Sequence, residues 1–293
     1  METKAGFLNI LKPPGMTSHD VIGYVRHVLH MKKVGHAGTL DPGAAGVLPV
    51  AVGQATRLIE YLEHADKSYR AIMCFGVATD SGDDTGEVVE TCPVPFALPP
   101  EEEILQALQG LTGDIVQTPS AFSAIKIDGR RACDLARSGQ AVAMPSRHVH
   151  IAELRLLERR EASRELVLDV TCSKGTYIRT LCTDIGRALG LPATMAFLLR
   201  TRVGSFRLAE SISLEELAAA GAAALLPMET CLRHLPRYEL ASARAKAFAN
   251  GLPTTERHAQ PAGPLAVYAA GSLLGIGRYD EAQQAIVPVK VIH

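Results

Sequence analysis

One aspartate stands among glycines and small apolar residues over residues 35–48, which read GHAGTLDPGAAGVL. Pro42 disfavours the helical region for Asp41 and holds it extended, while the glycines permit tight turns and the close approach of a ligand or a second backbone. Such a segment can present a carboxylate to a reactant. It can also form a structural turn, because Asp before Pro commonly opens one, and the local pattern alone favours that interpretation.

An arginine occupies an unusual place in the segment SKGTYIRT at residues 173–180. Thr176 is a candidate cap for a helix whose apolar face runs from Ile178 to Leu189 and which a glycine ends. Arg179 would then lie in the first helical turn, where a positive charge opposes the helix dipole. Either a specific anion holds this arginine in place, or it is exposed at a tolerant helix end, and the sequence does not choose between the two.

The elements that would position these residues include both helices and strands. Helices are predicted where apolar residues recur at helical spacing, and strands where they alternate with polar residues. The predicted helices span residues 19–30, 101–111, 129–138 and 241–250, and the predicted strands span residues 7–11, 69–77 and 165–171, with two more between 267 and 279. The acidic stretch at residues 80–87 is predicted to be a turn, since its carboxylates do not fit a calcium loop. This mixture predicts an α+β fold.

Length and composition bound the class of protein. A chain of 293 residues, 47% hydrophobic and 21% charged, is long enough for one large globular domain and a smaller one, and this composition excludes a disordered chain. The net charge of -1 conceals an asymmetry, because residues 123–207 hold 15 Lys and Arg against 8 Asp and Glu. A basic centre is a modest signal for nucleic-acid binding, and a solvated charge distribution explains it as well.

Several other classes are disfavoured. The six cysteines lie far apart without a C-x-x-C pair, so we expect reduced thiols. The histidine pairs at 27/30 and 148/150 lack further ligands nearby, so no metal is expected. The amino terminus has no signal-like apolar run and no segment is long enough to span a bilayer, so a soluble, cytoplasmic protein without membrane contacts is expected.

Four blocks, in this order, resemble the TruB family of tRNA pseudouridine synthases. They are KPPGMTS at residues 12–18, the segment at 35–48, DKSYR at 66–70 and SKGTYIRT at 173–180. PSAFSAIK at residues 119–126 and FLLRT at 197–201 match as well, and the tail is a looser match to the family's PUA RNA-binding domain. The sequence pattern changes after Pro236, which places a domain boundary there and suits a small β-barrel in the tail. The resemblance implies a catalytic domain at residues 1–235 with a mixed, mainly antiparallel sheet flanked by helices, an RNA-clasping insertion at about 122–149, and a PUA-like domain at 236–293.

The same resemblance assigns roles to residues of the site. Asp41 would be the catalytic aspartate, Tyr69 the tyrosine that lies against the target base, and Arg179 the partner that pairs with Asp41. The substrate-binding residues that it further implies are His36, the pocket-wall residues Tyr177 and Leu198, and Asp83, which would join the network of Asp41 and Arg179. Among these, His36 would fill the gap that the flipped base leaves, because an imidazole is flat enough to stack on bases.

The implied reaction converts one uridine in the tRNA T loop, conventionally uridine 55, to pseudouridine. The N1–C1′ bond breaks, the uracil rotates and C5 joins C1′, so atoms are conserved and no cofactor is expected. The base must first be flipped out of its stack, which costs roughly a few kcal/mol. Asp41 could attack C1′ or C6 or remove a sugar proton, and Tyr69 could only stack or also assist removal of the C5 proton. The sequence leaves both questions open.

The expected partner is the T stem-loop of tRNA, with no obligatory protein partner and a monomeric enzyme. Cations beside the motifs or in the basic stretch should contact the RNA backbone. The candidates are Lys12, Lys126, Arg130, Arg131, Arg147 and Lys174.

Three alternatives remain for the function. A tRNA-folding chaperone would use the same basic surface without needing Asp41. A guide-RNA-dependent pseudouridine synthase would share the catalytic blocks but work within a protein complex, and the bacterial-type insertion at 122–149 argues against it. A carboxylate hydrolase would need a second acid or a metal, which only the acidic turn could supply.

Overall fold

The computed structural model describes residues 5–93, 95–123, 125–127, 129–138, 140 and 142–292. Residue 124 of the block at 119–126, residues 124, 128, 139 and 141 of the predicted insertion, and the ends of both predicted domains at 1–4 and 293 lie outside the described residues.

The strands, in chain order over the described residues, are β1 (Gly6–Lys12), β2 (Val34–His36), β3 (Ala45–Val52), β4 (Lys67–Phe75), β5 (Val77–Thr79), β6 (Val88–Thr91), β7 (Gly113–Gln117), β8 (Lys126–Ile127), β9 (Arg130–Arg131), β10 (Arg147–Arg160), β11 (Glu165–Cys172), β12 (Ala193–Val203), β13 (Phe206–Arg207), β14 (Arg237–Glu239), β15 (Thr254–Thr255), β16 (Pro264–Ala269), β17 (Ser272–Asp280) and β18 (Ala285–Val291). The α-helices are α1 (Ser18–Leu29), α2 (Ile59–Glu63), α3 (Glu101–Gly110), α4 (Ala132–Arg137), α5 (Ile178–Ala188), α6 (Leu214–Ala220) and α7 (Ser242–Ala249).

The larger sheet has the order β1-β3-β12-β4-β11-β10-β7, with β2 paired to β3 and β13 paired to β12. Within the described part of this sheet, β12 and β3 run parallel and the other neighbours run antiparallel. The prediction of an α+β fold around a mixed, mainly antiparallel sheet is confirmed. Because β12 lies between β3 and β4, it brings the segment that leads into β3 close to the side chains of β4.

Strand β4 has the alternation that the sequence predicts. Tyr69, Ala71, Met73 and Phe75 are buried, whereas Arg70 points outward and is exposed. The inward row packs into a large apolar cluster, together with side chains from β11, β12 and α5. Tyr69 therefore lies on the core side of the sheet.

Helix α1 begins with a capping box, in which Thr17 and Asp20 each bond the other's backbone N–H. Its apolar face, formed by Val21, Val25 and Leu29 among others, packs against β1 and β3 in one cluster. Helix α1 thus supports the strand pair that flanks the segment carrying Asp41.

Two predicted helix starts need correction. Helix α5 begins at Ile178, and the Thr176 hydroxyl does not cap it, since it donates to the Ser173 carbonyl at 2.9 Å and closes the preceding turn. Helix α4 begins at Ala132 rather than at residue 129, because Gly129 has a φ of +82° in the turn between β8 and β9. Arg179 lies in the first turn of α5, as predicted.

The tail forms a second sheet with the order β14-β16-β17-β18-β15, an open, curled half-barrel where the sequence predicts a small β-barrel. One side encloses its own cluster around Phe248 and Ile286. Tyr268 and Ile292 of this sheet region instead share a cluster with Phe7 of β1 and with residues of β3. No helix among the described residues is long and apolar enough to cross a bilayer.

Candidate active site

The segment that carries Asp41 rests on the buried ammonium group of Lys12. Lys12 is 0% exposed, and its Nζ donates to the carbonyl oxygens of Pro13 at 2.9 Å, Pro42 at 3.2 Å and Ala44 at 2.6 Å. We therefore revise the prediction that Lys12 contacts an RNA phosphate. A lysine whose donors are bound by backbone carbonyls inside the protein holds the loop instead.

A second buried cation reaches the same segment from β12. The guanidinium of Arg200 donates to the carbonyl oxygens of Val47 at 2.7 Å, Gly38 at 3.1 Å and Thr39 at 3.3 Å. We call residues 38–47 the Asp41 loop. Two buried, positively charged side chains, Lys12 and Arg200, therefore hold its backbone.

Arg200 lies close enough to Lys12 to affect the ionisation of that lysine. Burial, together with the charge of Arg200, lowers the pKa of Lys12 to about 8, and the negative charge of Asp41 partly opposes this shift. Burial also lowers the pKa of Arg200 from its ordinary value. Positive charge is therefore concentrated on the buried side of the Asp41 loop.

Arg179 lies between two acidic residues. Its side chain is 9% exposed, with Nε 3.2 Å from Oδ2 of Asp41 and Nη1 3.3 Å from Oδ2 of Asp83. Nη1 also donates to the carbonyl of Ser81 at 3.0 Å, and Nη2 donates to the carbonyl of Phe122 at 3.1 Å. These carboxylates are the anions that can hold an arginine in the first turn of α5. The ion pair expected between Arg179 and Asp41 is present, and its part in catalysis stays a prediction.

Asp83 is the more enclosed of the two carboxylates. Its Oδ1 accepts hydrogen bonds from the hydroxyls of Ser81 at 2.7 Å and Thr85 at 2.6 Å. Burial alone would raise the pKa of Asp83, but these hydrogen bonds and the charge of Arg179 outweigh it and lower that pKa from its ordinary value. The side chain of Asp41 is 42% exposed against 13% for Asp83, so Asp41 is the carboxylate that a substrate can reach.

An apolar wall lies beside Asp41. Tyr69 and Leu198 are 8% and 7% exposed, and both belong to the cluster that contains Leu40 and Ala44 from the Asp41 loop. Burial raises the pKa of the Tyr69 hydroxyl, and the neighbouring charge of Arg200 partly offsets the rise. A carboxylate next to a tyrosine ring and a leucine side chain is suited to a flat, weakly polar reactant.

Tyr177 stands at the start of α5, where a glutamine holds its backbone. Gln117 at the end of β7 is fully buried, accepts from the N–H of Tyr177 at 3.0 Å and donates to its carbonyl at 3.3 Å. The guanidinium of Arg147 lies 5.4 Å from the centre of the Tyr177 ring. Arg147, predicted to contact phosphate, is thus half-buried and stacked beside a predicted wall residue.

The remaining predicted residues differ in their burial. His36 is half-buried in β2, opposite Val50 of β3. Lys174 is exposed, with its Nζ 2.8 Å from Nδ1 of His64. The other predicted phosphate contacts are all exposed on the β8–β9 hairpin, and they are Lys126, Arg130 and Arg131. Their contacts with RNA stay predictions.

Sequence reasoning missed Arg200 and Gln117 as parts of the site. The sequence does carry a signal for Arg200. Residues two apart in a strand share a face, so Arg200 lies on the same face as the predicted pocket residue Leu198, and a charged side chain is expected on the buried face. Gln117 ends a short strand and carries no comparable signal. Among the described residues, no three His, Cys, Asp or Glu side chains lie close enough together to hold a metal ion.

Comparison with known proteins connects this geometry to a family. Residues 26–178 match the TruB family pseudouridylate synthase (N terminal domain), and residues 179–234 match the tRNA pseudouridylate synthase B C-terminal domain. A tRNA pseudouridine synthase B from Symbiobacterium thermophilum is 49% identical over 248 residues, which cover 84% of this chain and 82% of that protein. One from Heliobacterium mobile is 50% identical over 251 residues, covering 84% and 80%.

A solved structure resembles the whole chain. A chain from the crystal structure of a Cbf5-Nop10-Gar1 complex superimposes with a TM-score of 0.76 and 28% identity, over 100% of this chain and 85% of that one. A chain from a structure of an H/ACA RNP bound to a substrate RNA containing 2'-deoxyuridine gives a TM-score of 0.76 and 26% identity, over 99% and 86%.

Proposed function

This chain belongs to the TruB family of pseudouridylate synthases, and from that premise we propose that it isomerises a uridine in the T loop of tRNA, uridine 55 by convention, to pseudouridine. The observation that carries the proposal is the reachable carboxylate of Asp41, 3.2 Å from the almost fully buried guanidinium of Arg179. The reaction needs one aimed carboxylate and no cofactor, because it conserves the atoms of the nucleotide.

The chain's own residues orient the Asp41 carboxylate and form the surface against which the base can lie. Arg179 orients the Asp41 carboxylate through an ion pair, and it is itself held by a second ion pair with Asp83 and by hydrogen bonds to two carbonyls. Tyr69 and Leu198 offer apolar surface against which a flipped uracil can stack. Which atom Asp41 attacks, and whether Tyr69 also assists loss of the C5 proton, are separate questions from this assignment.

We propose further that the chain acts without a protein or guide-RNA partner. The relatives that are about half identical are named tRNA pseudouridine synthase B, whereas the solved complexes resemble it at 26% and 28% identity. The hydrolase alternative lacks support, because Asp83, the acid that the acidic turn brings to Asp41, is bound on the far side of Arg179.

The experiment is nucleoside mass spectrometry of an unmodified tRNA transcript after incubation with the purified chain. Asp41→Asn is run in parallel, since it keeps the size of the side chain while removing its charge and nucleophilicity. We expect pseudouridine at the T-loop uridine with the natural chain and a loss of at least about 1,000-fold in rate with Asp41→Asn.

Each other outcome points to a different error. Product from both proteins would mean that Asp41 is not the reacting carboxylate. Tight tRNA binding by both proteins with no product from either would favour the chaperone or the guide-dependent enzyme. Restored activity on adding a guide RNA and its proteins would then separate those two.

We also propose that residues 236–293 form an RNA-binding module attached to the catalytic domain at 1–235. The tail has its own sheet and its own apolar cluster. Helix α7 carries two exposed cations, Arg244 and Lys246, which suit the RNA backbone. If the tail binds tRNA, replacing both by Gln weakens tRNA affinity, and an unchanged affinity would argue against this role.

A further inference from the structure

Arg200 is an arginine whose burial calls for a reason. It is 1% exposed, and its hydrogen bonds run to three backbone carbonyls rather than to a carboxylate. Burying an ionised group costs several kcal/mol unless its donors are well satisfied. Carbonyl oxygens can satisfy a guanidinium, but an apolar side chain would fill the same space at lower cost. The role of Arg200 therefore depends on which three carbonyls it binds.

The carbonyls lie on both sides of Asp41 in the chain. Gly38 and Thr39 precede it, and Val47 follows it. One planar group thus ties the entry of the Asp41 loop to its exit. Its fork of donors makes this bridging possible, because a guanidinium can bind in several directions at once.

The backbone of Arg200 holds the loop as well. Gly46 pairs with Arg200 across the parallel β3–β12 junction and has a φ of +112°. A Cβ atom at this position would lie 2.2 Å from the carbonyl oxygen of Arg200, which no side chain tolerates. The exit of the loop is therefore packed directly onto the residue that binds its entry.

The next strand places Tyr69 opposite Arg200. Lys12, Gly46, Arg200 and Tyr69 are register partners across β1, β3, β12 and β4, and form one row across the sheet. In this row Gly46 separates the two cations. The charge of Arg200 also acts on the Tyr69 hydroxyl, so the two side chains lie close together.

From these contacts we propose that Arg200 is a positioning residue that fixes the Asp41 carboxylate and the Tyr69 ring relative to each other. Lys12 holds the middle of the loop through Pro42 and Ala44, but Arg200 joins the loop to the strand of Tyr69. The catalytic consequence rests on the proposed function, whereas the mechanical one, a loop held to β12, does not.

The test replaces Arg200 by Lys, which keeps the charge but replaces three separate donor nitrogens, each bound to its own carbonyl, by a single nitrogen. Because displacement of a reacting group by about 1 Å can cost about 100-fold in rate, we expect kcat to fall about 100-fold while KM for tRNA changes less than about threefold. The matched control is Arg202→Lys on the same strand. Arg202 donates to Ser68 and to the carbonyl of Gly204, so its replacement should change kcat less than about threefold.

A second measurement follows the loop without using activity. Hydrogen–deuterium exchange of peptides covering residues 38–47 should be faster in Arg200→Lys than in the natural chain, with exchange in α1 unchanged. Unchanged loop exchange in a folded Arg200→Lys protein would overturn the proposal, as would faster exchange with unchanged kcat. If the natural chain makes no pseudouridine, the proposed function fails, and the exchange data still decide whether Arg200 holds the loop.

If Arg200→Lys does not fold, hydrogen exchange in the natural chain tests the proposal. The Leu40 amide bonds Ser18 Oγ and the Ala44 amide bonds the Asp41 carbonyl, so both report on the loop. A loop fixed to β12 should open only with β12, and these amides should exchange as slowly as those of that strand. Exchange at the rate of an exposed turn would overturn the proposal.

Discussion

The Asp41 loop and the basic segment at residues 122–149 meet at Arg179 but are built in opposite ways. In the loop, five backbone carbonyls accept from two buried cations. In the described part of the basic segment, a short hairpin and a six-residue helix carry cations that are exposed. Both regions use positive charge, yet in the loop it faces the protein's own backbone, whereas on the hairpin and helix of the basic segment it faces solvent. Arg147, near the end of that segment, is half-buried beside Tyr177.

The difference follows from what each region has to hold. A reacting carboxylate must keep its position to a fraction of an ångström, which justifies burying cations that are costly to desolvate. A polyanionic backbone can be bound by exposed side chains that adjust to it, and each such charge contributes little to the stability of the fold. On the proposed function, fixed chemistry and adaptable binding are thus separated along the chain. Arg179 joins the two regions, because it forms an ion pair with Asp41 and donates to the carbonyl of Phe122.

The strongest test of this separation is Arg179→Lys. Lysine keeps the charge but cannot bond Asp41, Asp83 and two carbonyls at once, so the carboxylate loses its aim. We expect the single-turnover rate on tRNA to fall about 1,000-fold with tRNA affinity changed less than about threefold. The control is Arg187→Lys on the same helix, an exposed residue that pairs with Asp184. A rate within about tenfold of the natural chain would show that the carboxylate does not depend on this contact.

Lys12 gives a second test, through the dependence of stability on pH. Its pKa of about 8 in the folded chain lies below its ordinary value of 10.5. Between these two values the unfolded chain binds more protons, so the contribution of Lys12 to stability rises with pH, and below pH 8 the full cost of burying the charge is present.

We therefore expect the free energy of unfolding of the natural chain, relative to Lys12→Met, to rise by about 2 kcal/mol between pH 8 and pH 10. Urea unfolding of both proteins across this range measures it. Lys174→Met is measured alongside as a control that removes an exposed lysine instead of a buried one. Parallel curves for the natural chain and Lys12→Met would mean that the ammonium is not buried as described, and the contrast between the two regions would fail.

The contrast also explains which parts of the molecule the sequence could predict. The alternation of β4, the helical spacing of α1 and the turn around Asp41 are local patterns, and each could be identified from a few neighbouring residues. The helical position of Arg179 leaves open whether an anion holds it, and the pairing with Asp41 is expected from the family resemblance. These features depend on contacts that the sequence itself implies.

Other features depend on partners far away in the chain. Nothing near Lys12 in the sequence indicates that its ammonium bonds Pro42 and Ala44, thirty residues on, and a lysine beside two prolines has the appearance of a surface charge. Arg200 is bound by carbonyls more than 150 residues earlier. Backbone carbonyls have no sequence signature. The sequence around a lysine or arginine therefore does not distinguish a cation that binds carbonyls from one that binds phosphate.

The smallest expected effect belongs to the exposed cations, and it tests the other half of the comparison. Exposed arginines that bind RNA phosphates act through counterion release, so removing them lowers affinity and flattens its dependence on salt without changing the bound reaction. For Arg130→Gln combined with Arg131→Gln, we expect tRNA affinity to fall about three- to tenfold and the slope of log Kd against log salt to drop by about one to two, with the single-turnover rate at saturation unchanged.

The Arg244→Gln, Lys246→Gln pair in the tail should behave in the same way. Arg155→Gln, whose arginine is paired with Glu153 on β10, is the control and should leave the slope unchanged. A loss of saturated rate in the hairpin variant would mean that the basic segment also positions the reacting groups, and the division between fixed chemistry and adaptable binding would have to be abandoned.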